Sequence, residues 1–244
     1  MPSLNGAVVL VTGANGGIGT NFVHQALSRG AAKVYATART PRSWGDERIV
    51  PLTLDVTDAA SIAAAVAAAQ DVTVLINNAG ANPPSASLLE VTDADIRTNM
   101  ETNFFGPVFL ARAFTPTLTA KPQSILVDVH SVASWYAFGG IYSAAKAALW
   151  SATNSLRLEL APRDVHVTGV HMGYVETRMA AHADGPKMQP TELVTKVYDA
   201  VEADEYEVIA DDLTSQVKAA LSGPVGALYP ELRDMRAPLT AVEE

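Results

Sequence analysis

Thr12-Gly13-Ala14-Asn15-Gly16-Gly17-Ile18-Gly19 is the most informative segment of the chain, because it lies between an apolar run and an amphipathic segment. The run before it, residues 7–12 (AVVLVT), is apolar on both faces and predicts a buried strand. The segment after it, residues 17–29, predicts a helix that stops at Gly30. A buried strand, a glycine turn and a helix in this order are typical of the start of a parallel α/β sheet.

The same alternation of β-branched runs and helical stretches continues along the chain. Further strands are predicted at residues 33–37, 49–54, 73–76, 124–129, 166–170 and 207–210. Helices are predicted at residues 59–69, 93–118, 141–160, 191–203 and 212–221, and Pro107 is expected to kink or divide the second of these. The fold class is therefore α/β, a Rossmann-like doubly wound parallel sheet of about seven strands with helices on both faces. We expect one domain over residues 1–244, with residues 224–244 as a C-terminal tail.

Composition excludes several classes of protein. The 244 residues are 48% hydrophobic and 18% charged, which is typical of a globular chain, and no apolar run reaches the length of a membrane span. The first residues lack the features of a secretory signal, so a cytoplasmic location is expected. The net charge of −9 argues against a nucleic-acid partner. Cysteine is absent, and His171 and His182 have no companions at ligand spacing, so no metal site is expected.

The glycine turn predicts a site for a dinucleotide. Gly13 allows the tight turn, Gly17 lets the backbone approach a pyrophosphate, and Gly19 lets helix and strand pack closely. The pyrophosphate would rest on amide groups at the helix N-terminus. The residues predicted to contact it are Gly13, Asn15, Gly16, Gly17, Ile18 and Gly19. The alternative is a glycine-rich loop without a ligand.

The end of the second strand indicates which dinucleotide is bound. Sheets that bind NAD place an acid about 20 residues after the glycine turn, where it holds a ribose hydroxyl. Here the sequence reads Thr37-Ala38-Arg39, and Arg39 is suited to a 2′-phosphate, with Arg42 close by. NADP(H) is therefore favoured over NAD(H). The alternative is a solvated surface arginine.

Tyr142 and Lys146 lie four positions apart at the start of the helix predicted at residues 141–160. This spacing places both side chains on one face of a helix. A phenol has a pKa of about 10, and a nearby ammonium group lowers that pKa. The pair therefore favours proton transfer to a ketone oxygen or from an alcohol, although the spacing alone is common on helices.

Together these features make the chain resemble the short-chain dehydrogenase/reductase family in its single-domain form of about 250 residues. The resemblance covers residues 7–210, and its motifs occur in the family's order. They are the glycine turn, Leu54-Asp55-Val56, Asn77-Asn78-Ala79-Gly80, Asn103-Phe104-Phe105-Gly106, Ser131 and Tyr142-Ser143-Ala144-Ala145-Lys146. Each motif alone has a structural alternative, such as a turn, a helix cap or a polar residue in a helix. Their joint occurrence favours the functional interpretation.

The resemblance implies roles for four residues in a reaction. Tyr142 is implied to be the general acid in reduction and the base in oxidation, and Lys146 to bind the nicotinamide ribose and lower the Tyr142 pKa. Ser131 is implied to hold the substrate carbonyl oxygen. Asn103 is implied to hold a water that links Lys146 to solvent. The protein would then orient a hydride transfer from the nicotinamide.

The resemblance also implies further cofactor contacts. Asp55 and the neighbouring Val56 are expected at the adenine. The nicotinamide side is expected to be lined by Asn77, Ala79 and Gly80.

The segment after the sixth strand reads His171-Met172-Gly173-Tyr174-Val175-Glu176-Thr177. The family usually has Pro-Gly and then a threonine here, so Gly173 and Thr177 keep the pattern while Met172 replaces the proline. This replacement should make the loop less rigid. Val175 is expected to bind the nicotinamide amide through its backbone, and Thr177 to bind the amide or a phosphate.

Aromatic residues near the site suggest the substrate. Trp135, Tyr136, Phe138 and Tyr174 are candidate pocket walls, which favours an apolar or aromatic ketone. Packing or subunit contacts are the alternative. Ser131 lies 11 residues before Tyr142, a shorter separation than is usual for the family. The loop at residues 132–141 is therefore expected to shorten one wall of the substrate site. Residues 179–189 are small and polar and predict a mobile lid.

The leading hypothesis is an NADP(H)-dependent oxidoreductase, a carbonyl or ketone reductase that converts a small-molecule carbonyl compound and its alcohol into each other. A non-catalytic NADP-sensing protein on the same fold is the alternative, but such relatives typically lose the tyrosine or the lysine. An epimerase or dehydratase is a third hypothesis, but such relatives tend to have a larger C-terminal region. The helices at residues 93–118 and 141–160 are more apolar than one sheet face requires, which predicts a homodimer or homotetramer. In the resembling family these two helices commonly form a dimer within a tetramer.

Overall fold

Seven parallel strands form one sheet in the order β3-β2-β1-β4-β5-β6-β7. The computed structural model describes residues 2 to 234. The strands are β1 (Val8–Val11), β2 (Lys33–Ala38), β3 (Ile49–Thr53), β4 (Val74–Asn77), β5 (Ser124–Val129), β6 (Val165–His171) and β7 (Glu207–Ile209). The predicted Rossmann-like doubly wound sheet is confirmed. The strand order reverses between β1 and β4, and sheets of this kind bind ligands outside the carboxyl ends of the strands at such a point.

Helices connect the strands and cover both faces of the sheet. They are α1 (Gly17–Ser28), α2 (Ala59–Ala68), α3 (Asp93–Met100), α4 (Gly106–Thr119), α5 (Ile141–Leu160), α6 (Pro190–Glu202), α7 (Asp212–Ala220), α8 (Val225–Leu228) and α9 (Glu231–Asp234). Among the helices of residues 2–234, none is both long and apolar enough to cross a membrane.

The predicted tail, residues 224–244, begins with the two short helices α8 and α9. Its residues 235–244 lie outside the described residues.

The starts of the helices show where backbone amide groups remain available. Thr92 and Asp95 form a capping box at α3, Asp58 caps α2, and Asp211 caps α7. Helix α1, like α5, has no side-chain cap hydrogen bond from the described residues. Its first turn also carries no acidic residue. The amide groups at the start of α1 are therefore available to an anion.

Two apolar cores lie on opposite faces of the sheet. On one face, Phe22 of α1 and Tyr198 of α6 meet edge to face at 5.5 Å, and the Tyr198 hydroxyl donates to the Phe22 carbonyl at 2.9 Å. On the other face, Leu110 and Phe114 of α4 pack with Leu75 of β4. Full burial of one such side chain contributes about 1.5–3 kcal/mol to folding. Because helices cover both faces, the edge at the carboxyl ends of the strands is left to hold a site.

The long helix predicted at residues 93–118 is divided, but not at Pro107. A π-helical turn, Glu101–Phe105, joins α3 to α4, and Pro107 lies in the first turn of α4. Proline is tolerated in a first turn because its missing N–H costs little there. The prediction of a kink at Pro107 is therefore corrected to a change of helix type just before it.

Candidate active site

The glycine turn leaves α1 open toward the carboxyl edge of the sheet. A side chain at Gly19 would place its Cβ 2.3 Å from the Gly13 carbonyl oxygen, so no larger residue allows this approach of helix and strand. Asn15, Gly16 and Gly17 are exposed. A Cβ added at Gly17 would lie 3.0 Å from the Thr177 methyl group, so this turn faces the segment after β6. The turn and that segment form two sides of one cleft.

Asp55 and Arg39 lie near one another beside this cleft. The Asp55 carboxylate accepts hydrogen bonds from the Thr57 amide at 2.9 Å and the Thr57 hydroxyl at 2.7 Å. These bonds lower the pKa of Asp55, and the positive charge of Arg39 acts in the same direction. Arg39 is exposed, and among the described residues no side chain pairs with its guanidinium group. Its charge is therefore available to a ligand.

A second arginine lies over the first turn of α1. The Arg42 guanidinium donates to the Thr20 hydroxyl at 3.2 Å and lies 4.0 Å from the centre of the Trp44 ring. Asn15 donates to the Thr40 carbonyl at 2.9 Å and joins the glycine turn to the loop after β2. The start of α1 is thus flanked by positive charge.

Asn77 ends β4, and its side chain is buried. The side chain donates to Asp128 at 2.8 Å and to the Pro107 carbonyl at 3.2 Å. It therefore joins β4 to β5 and α4, and a cofactor contact of Asn77 through its backbone stays a prediction. The next residue, Asn78, donates to the Thr12 carbonyl at 2.8 Å. Sequence reasoning did not assign Asn78 this role.

Ala79 and Gly80 continue from Asn78 into the cleft. The Thr12 hydroxyl accepts hydrogen bonds from the amides of Asn78 and Ala79, each at 2.9 Å. A Cβ added at Gly80 would lie 3.0 Å from the Asn103 amide oxygen and 4.0 Å from Lys146 Nζ. The backbone after β4 therefore lies between the glycine turn and the residues of the predicted proton relay.

Asn103 lies in the π-helical turn and is fully buried. Its side chain donates to the carbonyls of Ala81 at 2.9 Å and Asn99 at 3.0 Å, and accepts from the Ala81 amide at 3.1 Å. These contacts fix the segment after β4. In a regular α-helix the donor to the Asn103 carbonyl would be the amide of residue 107, which is proline and has none. The Asn103 carbonyl is thus deprived of its α-helical partner, a signal for the π-helical turn that was present in the sequence.

Ser131, Tyr142 and Lys146 come together at the end of β5 and the start of α5. The Ser131 hydroxyl accepts a hydrogen bond from the Ala133 amide at 3.2 Å. Lys146 is buried and donates to the Val129 carbonyl at 2.7 Å, with its Nζ 5.8 Å from the centre of the Tyr142 ring. The structure therefore brings a phenol, a hydroxyl and an ammonium group together near Gly80.

Burial dominates the electrostatics of this group. It raises the pKa of Tyr142 to about 12, while the Ser131 hydroxyl acts in the opposite direction. Burial also lowers the pKa of Lys146 to about 8, and the charge of Asp128 opposes that change. In this arrangement the Lys146 ammonium group is bonded to the Val129 carbonyl, and its effect on the Tyr142 pKa stays a prediction. Tyr142 is a neutral phenol at physiological pH.

The segment after β6 borders the cleft beside the glycine turn, where Thr177 lies next to Gly17. Gly173 donates its amide to Asp211 at 2.6 Å, and the Thr177 hydroxyl donates to the Val175 carbonyl at 3.2 Å. Val175 is buried. The contacts of Val175 with the nicotinamide amide, and of Thr177 with that amide or a phosphate, stay predictions.

The aromatic residues around the cleft divide into two groups. Phe138 and Tyr174 meet edge to face at 6.1 Å, and Phe138 is 41% exposed. Trp135 is 5% exposed, and its ring stacks on His171 at 3.8 Å and meets Trp150 edge to face at 5.9 Å. Trp135 therefore belongs to a packed cluster, and its assignment as a pocket wall stays a prediction.

The segment predicted as a lid is anchored at both ends. Asn82 donates to the Met179 carbonyl at 3.1 Å. At the other end, Met188 donates its amide to the Tyr174 carbonyl and accepts from the Glu176 amide, each at 2.9 Å. Motion of the residues between these anchors remains a prediction.

Comparison with known proteins establishes the family. The family model described as short chain dehydrogenase matches residues 7–187. The chain therefore belongs to the short-chain dehydrogenase/reductase family, and the resemblance stated from its motifs is confirmed.

Individual relatives show how far this similarity extends. A "Dehydrogenase/reductase SDR family protein 7-like" of Anopheles gambiae is 32% identical over 202 residues, which cover 74% of this chain and 62% of that protein. An "NADPH-dependent 1-acyldihydroxyacetone phosphate reductase" of Schizosaccharomyces pombe is 36% identical over 182 residues, which cover 70% of this chain and 60% of that protein. The chain thus spans about three fifths of the length of these two curated relatives.

A solved structure matches over a larger share of both chains. It is a short-chain dehydrogenase from Burkholderia cenocepacia J2315 in complex with NADP, 34% identical, with a TM-score of 0.87. The match covers 94% of this chain and 99% of that one.

Proposed function

We propose that the chain is an NADP(H)-dependent oxidoreductase that converts a ketone or aldehyde and the corresponding alcohol into each other by hydride transfer. The observation that carries this proposal is the convergence of Ser131, Tyr142 and Lys146 at the carboxyl edge of the sheet, beside the uncapped start of α1. A protein that only sensed the cofactor would not require a phenol and a serine hydroxyl in contact. The names of the Schizosaccharomyces pombe relative and of the Burkholderia structure support the same cofactor.

The residues present fit NADP(H). The amides of the glycine turn would hold the pyrophosphate, and Asp55 with Val56 would meet the adenine. The exposed guanidinium of Arg39, together with Arg42 over the first turn of α1, would hold the 2′-phosphate. When bound, the nicotinamide would supply or accept the hydride. No acid lies at the end of β2, in residues 37–39, to hold a ribose hydroxyl, which is why NADP(H) is proposed over NAD(H).

The chain's own residues would orient the carbonyl and supply the proton. The Ser131 hydroxyl oxygen accepts from the Ala133 amide, so its hydrogen remains to be donated to a carbonyl oxygen. Tyr142 keeps its proton at neutral pH and would transfer it to the same oxygen in reduction. Lys146 would bind the ribose hydroxyls and add positive charge beside Tyr142. Asn103 would hold the water that returns a proton to this group.

The walls of the cleft favour an apolar or aromatic ketone. Phe138 and Tyr174 present aromatic rings near the segment that follows β6. Tyr136 lies beside Phe138, with the two ring centres 5.7 Å apart. Ser131 and Tyr142 supply the polar contacts for a single carbonyl group. A site with few polar groups and aromatic walls selects a substrate of matching polarity.

The experiment is NADPH consumption with a panel of aryl ketones, cyclic diketones, β-keto esters and aldehydes, with NADH in parallel. For Tyr142→Phe we expect turnover to fall by about 10²–10⁴-fold, because the proton donor is lost. The Kd for NADPH should stay within about threefold, because the phenol proton does not bind the cofactor.

Tyr206→Phe is the matched control, because Tyr206 immediately precedes β7, is half-exposed and stacks on His166. It should keep full activity. Tight NADPH binding by the wild-type chain without turnover of any compound would contradict the proposal and favour the sensing alternative.

We further propose that the chain folds as one domain and assembles as a homodimer or homotetramer through α4 and α5. Phe109 of α4 is 41% exposed and Leu158 of α5 is 79% exposed. Large apolar side chains exposed on neighbouring helices indicate a protein contact. Light scattering of the purified chain should give a multiple of 25.7 kDa.

A further inference from the structure

The C-terminal segment lies against the loop that connects Ser131 to Tyr142. The rings of Tyr229 and Tyr136 stack with their centres 5.1 Å apart and an angle of 14°. The Tyr229 hydroxyl accepts a hydrogen bond from the Ala137 amide at 3.0 Å. The Tyr136 hydroxyl in turn donates to Glu231 at 3.2 Å. Three contacts therefore hold residues 136 and 137, two from Tyr229 at the end of α8 and one from Glu231 of α9.

The same loop is held from the inside by α5. The Ser143 hydroxyl accepts from the Gly139 amide at 3.0 Å, and the Tyr136 carbonyl lies 3.3 Å from the same oxygen. Residues 136–139 are thus fixed between Ser143 on the inner side and Tyr229 on the outer side. Of the two, Tyr229 is the contact contributed by a part of the chain remote in sequence.

Phe138 lies between these two anchors, and its side chain is 41% exposed. Its ring meets Tyr174 at 6.1 Å. A Cβ added at the next residue, Gly139, would lie 3.4 Å from the Tyr142 ring. Phe138 therefore stands one residue from the ring of the proposed proton donor, and its position depends on how the loop is held.

The groups proposed to act on the carbonyl are held by other contacts. The Val132 amide donates to the Met172 carbonyl at 2.7 Å and fixes the backbone next to Ser131. Tyr142 lies in the first turn of α5, and Lys146 is bonded to Val129. Loosening residues 136–138 should therefore leave the reacting groups in place.

We propose that Tyr229 is a positioning residue for the substrate wall. By fixing Ala137 and Tyr136 it holds Phe138 against Tyr174, and so sets the affinity for carbonyl substrates that carry an apolar ring. The inference rests on the proposed function, and it adds a residue of the C-terminal segment that contacts neither the cofactor nor the reacting atoms.

The experiment compares Tyr229→Phe and Tyr229→Ala with Tyr206→Phe as the control. Steady-state kinetics are measured with an aryl ketone and with a small aliphatic ketone, and hydrogen exchange is followed in the peptide that contains Ala137. For Tyr229→Phe we expect exchange at Ala137 to rise about tenfold and the KM for the aryl ketone to rise about threefold, because one hydrogen bond is lost.

For Tyr229→Ala we expect the KM for the aryl ketone to rise about tenfold, because the ring contact is lost as well. The kcat for both ketones and the KM for the aliphatic ketone should stay within about twofold. Tyr206→Phe should change none of these quantities.

Three outcomes would overturn the inference. An unchanged KM for the aryl ketone in both variants would remove Tyr229 from substrate binding, and unchanged exchange at Ala137 would remove the contact itself. An equal fall in kcat for both ketones would assign Tyr229 a general structural role. Absence of turnover in the wild-type chain is a different result, because it would first overturn the proposed function.

Discussion

Arg39 follows β2 at the position where many dinucleotide-binding sheets carry an acid. Its guanidinium is exposed, and its charge lowers the pKa of Asp55. We predict that Arg39→Asp weakens NADPH binding by about tenfold or more and leaves NADH binding unchanged or stronger, because a charge-assisted pair with the 2′-phosphate becomes a repulsion. Titration of both cofactors against the variant measures the two Kd values.

Arg48→Asp is the control for this change in charge, because Arg48 pairs with Asp46 before β3. It should leave the ratio of the two Kd values unchanged. An NADPH affinity equal to that of the wild-type chain in Arg39→Asp would exclude Arg39 from the site.

Single residues show most clearly where the sequence was insufficient. Tyr142, Lys146 and Ser131 were predicted from motifs, and the structure brings them together, although their roles remain predictions. Asn77 and Trp135 were assigned to the cleft, yet both side chains point into buried contacts. A motif gives the order of residues but not the direction of a side chain at a strand end, which depends on neighbours such as Asp128 and His171 that are distant in sequence.

The π-helical turn shows how one element positions a residue of the site. Pro107 cannot donate to the Asn103 carbonyl, and the backbone hydrogen bonds between α3 and α4 follow the π-helical pattern. We propose that the Asn103 main-chain carbonyl holds the relay water, and we predict that Pro107→Ala lowers turnover at least threefold, because the added amide would donate to that carbonyl. Turnover and chemical unfolding are measured on the same preparation.

Pro116→Ala is a matched control, because Pro116 lies inside α4 away from the site. It should stabilise the helix without loss of turnover. If Pro107→Ala keeps full activity, the Asn103 carbonyl does not take part in the relay.

The elements themselves were well predicted from periodicity. All seven strands lie within a few residues of the predicted ones. Short β-branched apolar runs bounded by glycine and polar turns are typical of buried strands. The helix predicted at residues 93–118 has the right extent, but its residues 101–105 form a π-helical turn and not an α-helical one. Periodicity does not separate α from π geometry over five residues, and only the missing amide of Pro107 pointed to the difference.

At the scale of the whole molecule, two buried histidines make stability depend on pH. The rings of His130 and His171 stack at 4.7 Å, and burial lowers the pKa of His171 to about 3 and that of His130 well below its usual value. Glu207 lies 3.5 Å from His171, but Lys218 pairs with Glu207 and adds positive charge nearby. Both histidines are therefore neutral in the native protein.

The sign of the effect follows from proton uptake. Below about pH 6.5 the unfolded chain binds protons at these histidines while the folded chain does not, so stability falls as the pH falls toward 3. For His171 we predict a loss of about 2 kcal/mol at pH 5, and His130 should act in the same direction. His171→Phe, which keeps an aromatic ring beside Trp135, should lose correspondingly less between pH 7 and pH 5.

Urea unfolding at the two pH values measures this difference. His182→Gln is the control, because His182 is exposed, and its pH dependence should equal that of the wild-type chain. A His171→Phe variant with the same pH dependence as the wild-type chain would show that His171 is protonated in the folded state.

The overall topology was predictable because the connections leave few choices. Right-handed crossovers between parallel strands, starting from a glycine turn, lead to the observed order around β1 and β4. The sequence did not predict how burial and neighbouring charges together set the pKa values of the site residues. The Tyr142 pKa rises although an ammonium group lies near its ring, because desolvation depends on every neighbouring element.

The stacked cluster around Trp135 also gives the protein an optical signal of its own. Two of its three tryptophans, Trp135 and Trp150, meet at 88° across the loop that carries Ser131 into the site. Aromatic rings fixed at such an angle in a chiral setting produce a strong near-ultraviolet circular dichroism band, and that band disappears when the packing is lost. The near-ultraviolet spectrum therefore reports the order of the loop that carries Ser131 without any label.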